Sequence, residues 1–449
     1  MNKKGLLAFK WFFVFSLIFI ALFNQLDLDF GWHLASGNYV RNRGIPTHDV
    51  FTYTAEGFRW INHEMMNDVL MSFLYSFGGY TILVILYSAL WTGALLLSAP
   101  RARLGILLLG SLAIMPYIAV RPTAWTAFGL AVLLKIISGR SRRLKLAIPL
   151  LFLFWANLHG GFIIGLAVLV YYAIRERSKF WAGVLLASTL ATFGNIYGPR
   201  LYEEILRTLF DPSVHSQIVE WFSFYIFDSS WPFIISWIIG FWLFSRHKLS
   251  EWLSLPPLML LAGFSATRNI TLFVVVSLQK TDEYYSMMLK QIPKKPAWLT
   301  KLFFWGSTTI IYLAVAFGFY GQFMPWVNDR EINYPRTAVA YLKTHGCPGR
   351  LFNDYNYGGY LIWKLPEEKV YIDGRMSSWR DESGTKYIDK FFGAMEDSKK
   401  QKIEFEKFDV KCVLVRNYYD EFIKRLTDSG WSTAVDANGA HLLTAPRGM

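Results

Sequence analysis

Acids and imidazoles cluster in one polar stretch of an otherwise apolar sequence, between residues 27 and 64. The stretch contains Asp27 and Asp29 at positions i and i+2, then His33, and it ends at Glu64. A carboxylate can act as a general base toward a hydroxyl or amide, and paired carboxylates can bind a divalent cation. Ionisable groups are costly beside a bilayer and are usually retained for function. These four residues are therefore the candidate catalytic group.

Two other roles are open for the acid pair. Asp27 and Asp29 are the candidate ligands if the chemistry needs a divalent cation such as Mg²⁺ or Mn²⁺. They are equally suited to capping the start of a helix in the loop, because an acid just before a helix commonly binds its first backbone N–H groups.

The composition points to a membrane protein. Of the 449 residues, 53% are apolar and 18% are aromatic, which is typical of a polytopic helical membrane protein. The net charge is +13, but the lysines and arginines lie in short clusters between apolar runs, the pattern that sets membrane topology. We therefore expect membrane lipid as a partner and no nucleic acid.

About eleven apolar stretches are candidates for membrane spans of about 20 residues. They lie near residues 9–25, 79–99, 103–119, 122–138, 145–158, 161–174, 180–196, 231–245, 252–266, 269–280 and 302–323. With the N-terminus inside, the basic clusters fall on the inner side of the later turns, as the positive-inside rule requires. The polar loop 26–78 and the C-terminal part then fall on the outer side. Residues 68–77 and 203–210 predict amphipathic helices along the membrane surface.

Two arginines stand at outer helix ends, where positive charge is disfavoured. Arg121 precedes Pro122 at the mouth of one span, and Arg268 lies in the sequence ATRN between two others. Guanidinium groups bind phosphate oxygens bidentately, so both arginines are candidate ligands for a phosphate at the membrane surface. Snorkelling to lipid headgroups, or pairing with Asp29 or Glu64, is an open alternative.

A short polar turn separates two further apolar runs, in the sequence WANLHGG. Asn157 and His159 precede Gly160 and Gly161 there. The glycines predict a tight turn at the outer interface, which makes both polar side chains candidates for contact with the same phosphate. Alternatively, His159 satisfies hydrogen bonds at a helix end and does nothing more.

The composition changes near Asn328 to that of a soluble α/β domain, so the predicted domains are 1–325 and 326–449. Helices are predicted at 336–344, 358–365, 386–394, 397–405 and 420–429, strands at 350–353, 369–373 and 411–415, and a hairpin around 436–439. Their alternation predicts a three-layer α/β unit. Cys347 and Cys412 both lie in this domain, where a disulfide and two buried thiols are both open.

Several of these sequences resemble the GT-C superfamily of membrane glycosyltransferases. The first loop contains DLDFGWHLASG, GIPTHDVFTYTAEG and WINHE, and the later outer segments contain RPTAWT, WANLHGG and ATRN; these resemble an uncharacterised bacterial GT-C-like group. The tail contains NDYNYGGY followed by KVYIDGR, similar in layout to the extracytoplasmic domain of oligosaccharyltransferase catalytic subunits. Residues 355–358 match the WDYG of that family only in Tyr357 and Gly358.

The resemblance implies a polytopic α-helical membrane protein of about eleven spans, with a C-terminal extracytoplasmic α/β domain. It also implies an inverting glycosyltransferase that moves a sugar or glycan from a polyprenyl-phosphate or polyprenyl-diphosphate carrier to an extracytoplasmic glycan, lipid or protein. Asp29, assisted by Asp27, would activate the acceptor, while Arg121 and Arg268 would stabilise the leaving phosphate. This requires the acids and the arginines to converge on one outward-facing pocket.

The same resemblance gives candidate binding residues and a location. Sugar and acceptor contacts are assigned to Trp32, Trp60, Tyr53, Tyr357, Asp373 and Arg375. The aromatic residues are equally ordinary as interfacial anchors, and Tyr357 and Asp373 could simply shape the tail. The expected location is a bacterial inner membrane, with the N-terminus inside. A transporter of lipid-linked sugars and a non-catalytic assembly or sensor protein are the competing classes.

Overall fold

The computed structural model describes residues 3–23, 26–212, 214–222, 228–246, 248–291, 334–437 and 439–446. The chain forms two compact units. The helical unit contains Met1–Leu26, Gly78–Leu201 and His215–Met324, and the mixed unit contains Asp27–Phe77, Tyr202–Val214 and Pro325–Met449. The first polar loop thus belongs with the C-terminal part, whereas the sequence grouped it with residues 1–325.

Most of the described chain is helical. In chain order the helices are α1 (Lys3–Phe23), α2 (Phe30–Arg43), α3 (Met65–Ser98), α4 (Leu104–Ile114), α5 (Thr123–Ser138), α6 (Arg142–Leu146), α7 (Ile148–Leu158), α8 (Phe162–Arg175), α9 (Lys179–Thr192), α10 (Arg200–Leu209), α11 (Val214–Gln217), α12 (Trp231–Phe244), α13 (Leu249–Trp252), α14 (Leu255–Ser265), α15 (Ile270–Gln291), α16 (Arg336–His345), α17 (Gly358–Lys364), α18 (Tyr387–Glu396), α19 (Ser398–Phe408) and α20 (Asp420–Asp428).

The predicted spans coincide with helices as far as the structure describes them. Each predicted stretch from 9–25 to 269–280 overlaps one or more of these helices, and the stretch 302–323 lies outside the described residues. Among the described residues, two helices, Gly5–Phe23 and Met65–Ser98, are long and apolar enough to cross a membrane. The number of spans therefore stays a prediction.

Helix α3 changes character in its middle. Gly78 and Gly79 leave helical geometry, and Gly79 has a φ of 59° that favours glycine. The predicted amphipathic helix 68–77 lies before this break, and the predicted span 79–99 follows it. The second amphipathic prediction, 203–210, coincides with most of α10.

The mixed unit contains one four-stranded sheet. Its strands are β1 (Arg350–Asn353), β2 (Val410–Arg416), β3 (Ser432–Ala437) and β4 (Ala440–Thr444), in the order β1-β2-β4-β3. Strands β1 and β2 run parallel, while β4 pairs antiparallel with both β2 and β3. The predicted strands 350–353 and 411–415 and the predicted hairpin are confirmed.

One predicted strand is wrong. Residues 369–373 form no strand of this sheet; instead, the backbone at Val370 pairs with the first loop, in a single parallel bridge to Thr52. The Val370 amide donates to the Phe51 carbonyl, and the Tyr53 amide donates to the Val370 carbonyl. The apolar pattern was a sign of burial, because Val370, Tyr371 and Ile372 are all buried.

The first loop and the tail share one hydrophobic core. Trp32 of α2 packs in a buried cluster with residues of α16, α17 and the sheet, among them Leu342, Leu361 and Leu414. A disulfide joins Cys347, just before β1, to Cys412 on β2. Of the two alternatives for these cysteines, the structure has the disulfide.

Candidate functional site

The acid pair lies at the start of α2, in the mixed unit. Asp29 is the residue before the helix, yet its side chain makes no capping hydrogen bond. Its Oδ1 accepts a hydrogen bond of 2.9 Å from Trp32 Nε1. Asp27 Oδ1 accepts one of 2.9 Å from the Asp29 amide. The Asp29 carboxylate is therefore fixed by a tryptophan rather than used as a helix cap.

The Asp29 carboxylate also touches the tail sequence YIDGR. A Cβ placed on Gly374 would lie 2.1 Å from Asp29 Oδ1, so any side chain there would collide with the acid. The Gly374 carbonyl accepts a hydrogen bond of 3.0 Å from Tyr355 Oη. The first loop and the tail thus build the surroundings of Asp29 together.

His33, one helical turn after Asp29 on α2, is the centre of a buried polar network. Its Nδ1 lies 2.6 Å from Asp68 Oδ1, and Asn62 Nδ2 donates to Asp68 Oδ2 at 2.7 Å. Its Nε2 lies 3.9 Å from the Glu64 carboxylate, and its ring lies 3.6 Å from that of Trp32, centroid to centroid.

This environment keeps His33 protonated at neutral pH. Burial by itself would lower the pKa of His33, but the Coulomb attraction and hydrogen bond of Asp68, with a contribution from Glu64, raise that pKa to about 9. His33 is therefore a cation beside the acids at neutral pH, rather than a free base.

Arg375 is caged. Its Nε and Nη2 donate to the two oxygens of Asp373 at 2.8 and 2.6 Å, and its Nη1 lies 2.8 Å from Asp49 Oδ1. The guanidinium also lies over three aromatic rings, with centroid distances of 4.5–5.2 Å. These rings belong to Phe51, Trp60 and Trp379. The cage ties the first loop to the tail, and the pKa of Arg375 is raised because the two carboxylates outweigh its burial.

The other predicted sugar and acceptor residues also contact the interior of the mixed unit. Tyr53 Oη donates to the Leu351 carbonyl at 3.0 Å. Tyr357 and Asp373 are fully buried, and Trp32, Tyr53 and Trp60 are each less than 8% exposed. Their contacts hold the unit together, and their binding roles stay predictions.

In the helical unit, the two predicted phosphate-binding arginines meet one short segment. Arg121 forms a salt bridge with Glu220, and Arg268 lies over the ring of Trp221 at 4.7 Å. Glu220 and Trp221 belong to the 3₁₀ segment Val219–Trp221. Residues 147 positions apart in the sequence (268 minus 121) are thus held against neighbouring side chains. The sequence did not predict Glu220 as the partner of Arg121.

The ring of His159 is held against Thr126 of α5. Trp155 Nε1 donates to Thr126 Oγ1 at 3.2 Å, Thr126 Oγ1 lies 2.6 Å from His159 Nδ1, and the Gly161 amide donates to the same Nδ1 at 3.1 Å. Because Nδ1 accepts these bonds, the ring carries its proton on Nε2. Asn157 Nδ2 instead donates to the carbonyls of Leu153 and Gly194, which fastens α7 to the end of α9.

Each of the three basic residues precedes the start of a helix. Arg121 lies two residues before α5, His159 three before α8, and Arg268 two before α15. Helix N-termini carry partial positive charge and unpaired backbone N–H groups, so they attract anions. The starts of α5, α8 and α15 are therefore suited to binding an anion such as phosphate.

The described residues show no ready-made metal site. No three of His, Cys, Asp or Glu among them lie close enough together to hold a metal ion. Asp27 and Asp29 are also engaged with a backbone amide and an indole. Metal binding by Asp27 and Asp29 stays a prediction.

Solved oligosaccharyltransferases have this fold. One is the structure of archaeal oligosaccharyltransferase AglB from Archaeoglobus fulgidus, in complex with an inhibitory peptide and a dolichol-phosphate. The superposition covers 99% of this chain and 74% of the AglB chain, with a TM-score of 0.58 and 12% sequence identity. The superposition on the apo form of the A. fulgidus enzyme covers 92% of this chain and 69% of the enzyme's chain, with a TM-score of 0.54 and 12% sequence identity.

A third structure is that of the same enzyme tethered by a disulfide to an acceptor peptide containing the NVT sequon. Its superposition also covers 92% of this chain and 69% of the enzyme's chain. The TM-score is 0.51 and the identity 13%. No protein-family model and no curated protein sequence matches the chain. The fold is thus like that of these solved oligosaccharyltransferases, which confirms the predicted distant likeness.

The predicted site residues fall into two groups. Asp27, Asp29, His33 and Glu64 belong to the mixed unit, and Arg121, Arg268, His159 and Asn157 belong to the helical unit. The predicted convergence of acids and arginines stays a prediction. Sequence reasoning missed Asp68, Thr126, Glu220 and Gly374. Asp68 lay in a predicted amphipathic helix, while the other three act through contacts distant in sequence.

Proposed function

We propose that this protein is an inverting glycosyltransferase that moves a sugar or glycan from a polyprenyl-phosphate or polyprenyl-diphosphate carrier to an extracytoplasmic acceptor. The observation that carries the proposal is the gathering of Arg121 and Arg268 on residues 219–221, at the starts of two helices. A GT-C-type fold over nearly the whole chain supports the same function class.

The donor phosphate is the part that the helical unit binds. Guanidinium groups, the Nε2–H of His159 and helix N-termini all favour the charge that grows on a leaving phosphate. The bond between the anomeric carbon and the phosphate oxygen breaks, and the electron pair stays on that oxygen. Arg121 and Arg268 stabilise the resulting anion.

Asp29 acts on the acceptor. The acceptor oxygen or nitrogen attacks the anomeric carbon in line with the leaving oxygen, which inverts the configuration, and its proton passes to the Asp29 carboxylate. Trp32 and Gly374 fix the position of that carboxylate. The protonated His33 adds a positive charge to the surroundings of this carboxylate.

The proposed location is a membrane, with the mixed unit on the outer side. Two helices have the length and hydropathy of membrane spans. The disulfide between Cys347 and Cys412 supports an oxidising compartment for the mixed unit. A bacterial inner membrane with the N-terminus inside accords with both observations.

A non-catalytic assembly or sensor protein is the second candidate, favoured by the burial of Trp60, Asp373 and the Arg375 side chain in contacts that hold the mixed unit together. The two functions differ in their need for Asp29. In cells that depend on the protein, Asp29→Asn should remove a product from the profile of glycans and lipid-linked sugars.

The matched control is Asp428→Asn, which makes the same change on an exposed part of α20 and should leave the profile intact. An unchanged profile with Asp29→Asn at normal protein level would favour the non-catalytic function.

A further inference from the structure

Glu220 is a carboxylate on a buried arginine. The side chain of Arg121 is 10% exposed and that of Glu220 is 40% exposed. The arginine is therefore part of the protein interior, whereas the acid covers it from the solvent side. An anion that binds the Arg121 guanidinium from outside must therefore displace the Glu220 carboxylate or bind beside it.

The backbone of this segment is pinned. Thr267 Oγ1 donates to the Glu220 carbonyl at 3.0 Å, and the Thr267 amide donates to the Phe222 carbonyl at 3.1 Å. Thr267 lies beside Arg268 in the 3₁₀ segment Thr267–Asn269. The backbone that carries Glu220 is therefore held in place by contacts other than the ion pair with Arg121.

A carboxylate and a phosphate present the same chemistry to a guanidinium, namely two anionic oxygens that accept parallel N–H bonds. We propose that the Glu220 carboxylate occupies on Arg121 the place of the donor phosphate, and that a lipid-linked phosphate displaces it on binding. This inference rests on the proposed function, and it adds a residue that guards the phosphate site.

The exchange makes the site selective. Arg268 lies against Trp221, next to Glu220, so a phosphate that replaces the carboxylate gains a second cation nearby. A phosphate monoester or a diphosphate carries more charge and more acceptor oxygens than a carboxylate, whereas a phosphodiester carries the same single charge. A diphosphate-linked lipid or a lipid phosphate monoester would therefore displace Glu220 more readily than a singly charged anion would.

The test measures binding of geranylgeranyl phosphate to the detergent-solubilised full-length protein. Glu220→Gln removes the competing charge and keeps the size of the side chain, so the dissociation constant should fall about threefold to fivefold, the range for loss of a partly exposed ion pair. Glu220→Ala should tighten binding in the same direction. Glu203→Gln, an exposed acid of α10, is the charge-matched control and should bind as the wild type does.

Two further arms identify the group that competes. Geranylgeraniol has the same chain without phosphate, and Glu220→Gln should not change its binding. Tighter binding of inorganic phosphate by Glu220→Gln, without tighter binding of the lipid phosphate, would assign the exchange to a free anion and overturn its lipid-linked part.

Failure of the inference is distinguishable from failure of the proposed function. If Arg268→Gln and Arg121→Lys weaken binding but Glu220→Gln leaves it unchanged or weaker, Glu220 supports the site and the exchange is overturned. If neither arginine variant changes the binding of geranylgeranyl phosphate, the phosphate site of the proposed function falls as well.

Discussion

Several buried contacts hold the carboxylate of Asp29, the proposed base, in one orientation. Its oxygen is oriented by the indole of Trp32, and the ring of Trp32 lies on a protonated His33. His33 is itself held by Asp68. The orientation of Asp29 therefore depends on contacts that extend through Trp32 and His33 to Asp68.

The His33 network predicts a pH-dependent stability. The pKa of His33 in the folded protein is about 9, above its ordinary value of 6.5. Its stabilising contribution is therefore complete below pH 6.5 and is lost as the pH rises through 9. We expect a loss on the order of 3 kcal/mol in the free energy of unfolding.

Thermal unfolding between pH 6 and 10 measures this loss. His33→Gln should remove most of the pH dependence, while His48→Gln, at an exposed position of the same loop, should keep it. Equal slopes for His33→Gln and the wild type would show that the network does not hold the proton.

At the scale of elements, the turn between α7 and α8 leaves no room for a larger residue at Gly161. A Cβ on Gly161 would lie 2.1 Å from Thr126 Oγ1 and 2.7 Å from His159 Nδ1. Gly161→Ala should therefore separate His159 from Thr126 and cost about 1–3 kcal/mol of stability, with weaker binding of a lipid phosphate.

The control for that prediction is Gly183→Ala on α9, where a Cβ would meet nothing within 4 Å. It should leave both the midpoint of thermal unfolding and lipid binding near the wild-type values. Similar effects of the two alanines would mean that the close contact at Gly161 is unimportant.

The sequence predicted elements better than contacts. The strand 350–353 and the helices of the tail follow from local apolar patterns and lie where expected. The segment 369–373 did not become a strand, because its backbone partner at Val370 is Thr52, 318 positions away (370 minus 52). The Arg121–Glu220 pair and the cage of Arg375 were missed for the same reason: a local pattern carries no information about a distant partner.

At the scale of the whole molecule, the first loop and the tail fold as one unit although they lie 248 positions apart in the sequence (325 minus 77). The contacts that join them include the Val370 bridge, the Arg375 cage and the core around Trp32. Asp29 therefore depends on the tail for its position.

The disulfide adds to the stability of this unit. Loss of the link between Cys347 and Cys412 should cost about 2–5 kcal/mol, because the bond restricts a long loop of the unfolded chain. The double variant Cys347→Ala/Cys412→Ala should unfold at a lower temperature than the wild type under oxidising conditions, and a reductant should lower the wild-type midpoint toward it. An unchanged midpoint in both cases would show that the bond is absent or contributes nothing.

Binding of a lipid-linked phosphate by Arg121 and Arg268 in the helical unit underlies the proposed function. Mass spectrometry of the lipids that co-purify with the full-length protein measures this binding. We expect a polyprenyl phosphate, polyprenyl diphosphate or their glycosylated forms with the wild type, and strong depletion of that lipid in Arg268→Gln. Equal amounts of such a lipid in the wild type and the variant, or its absence from both, would show that these arginines do not bind it.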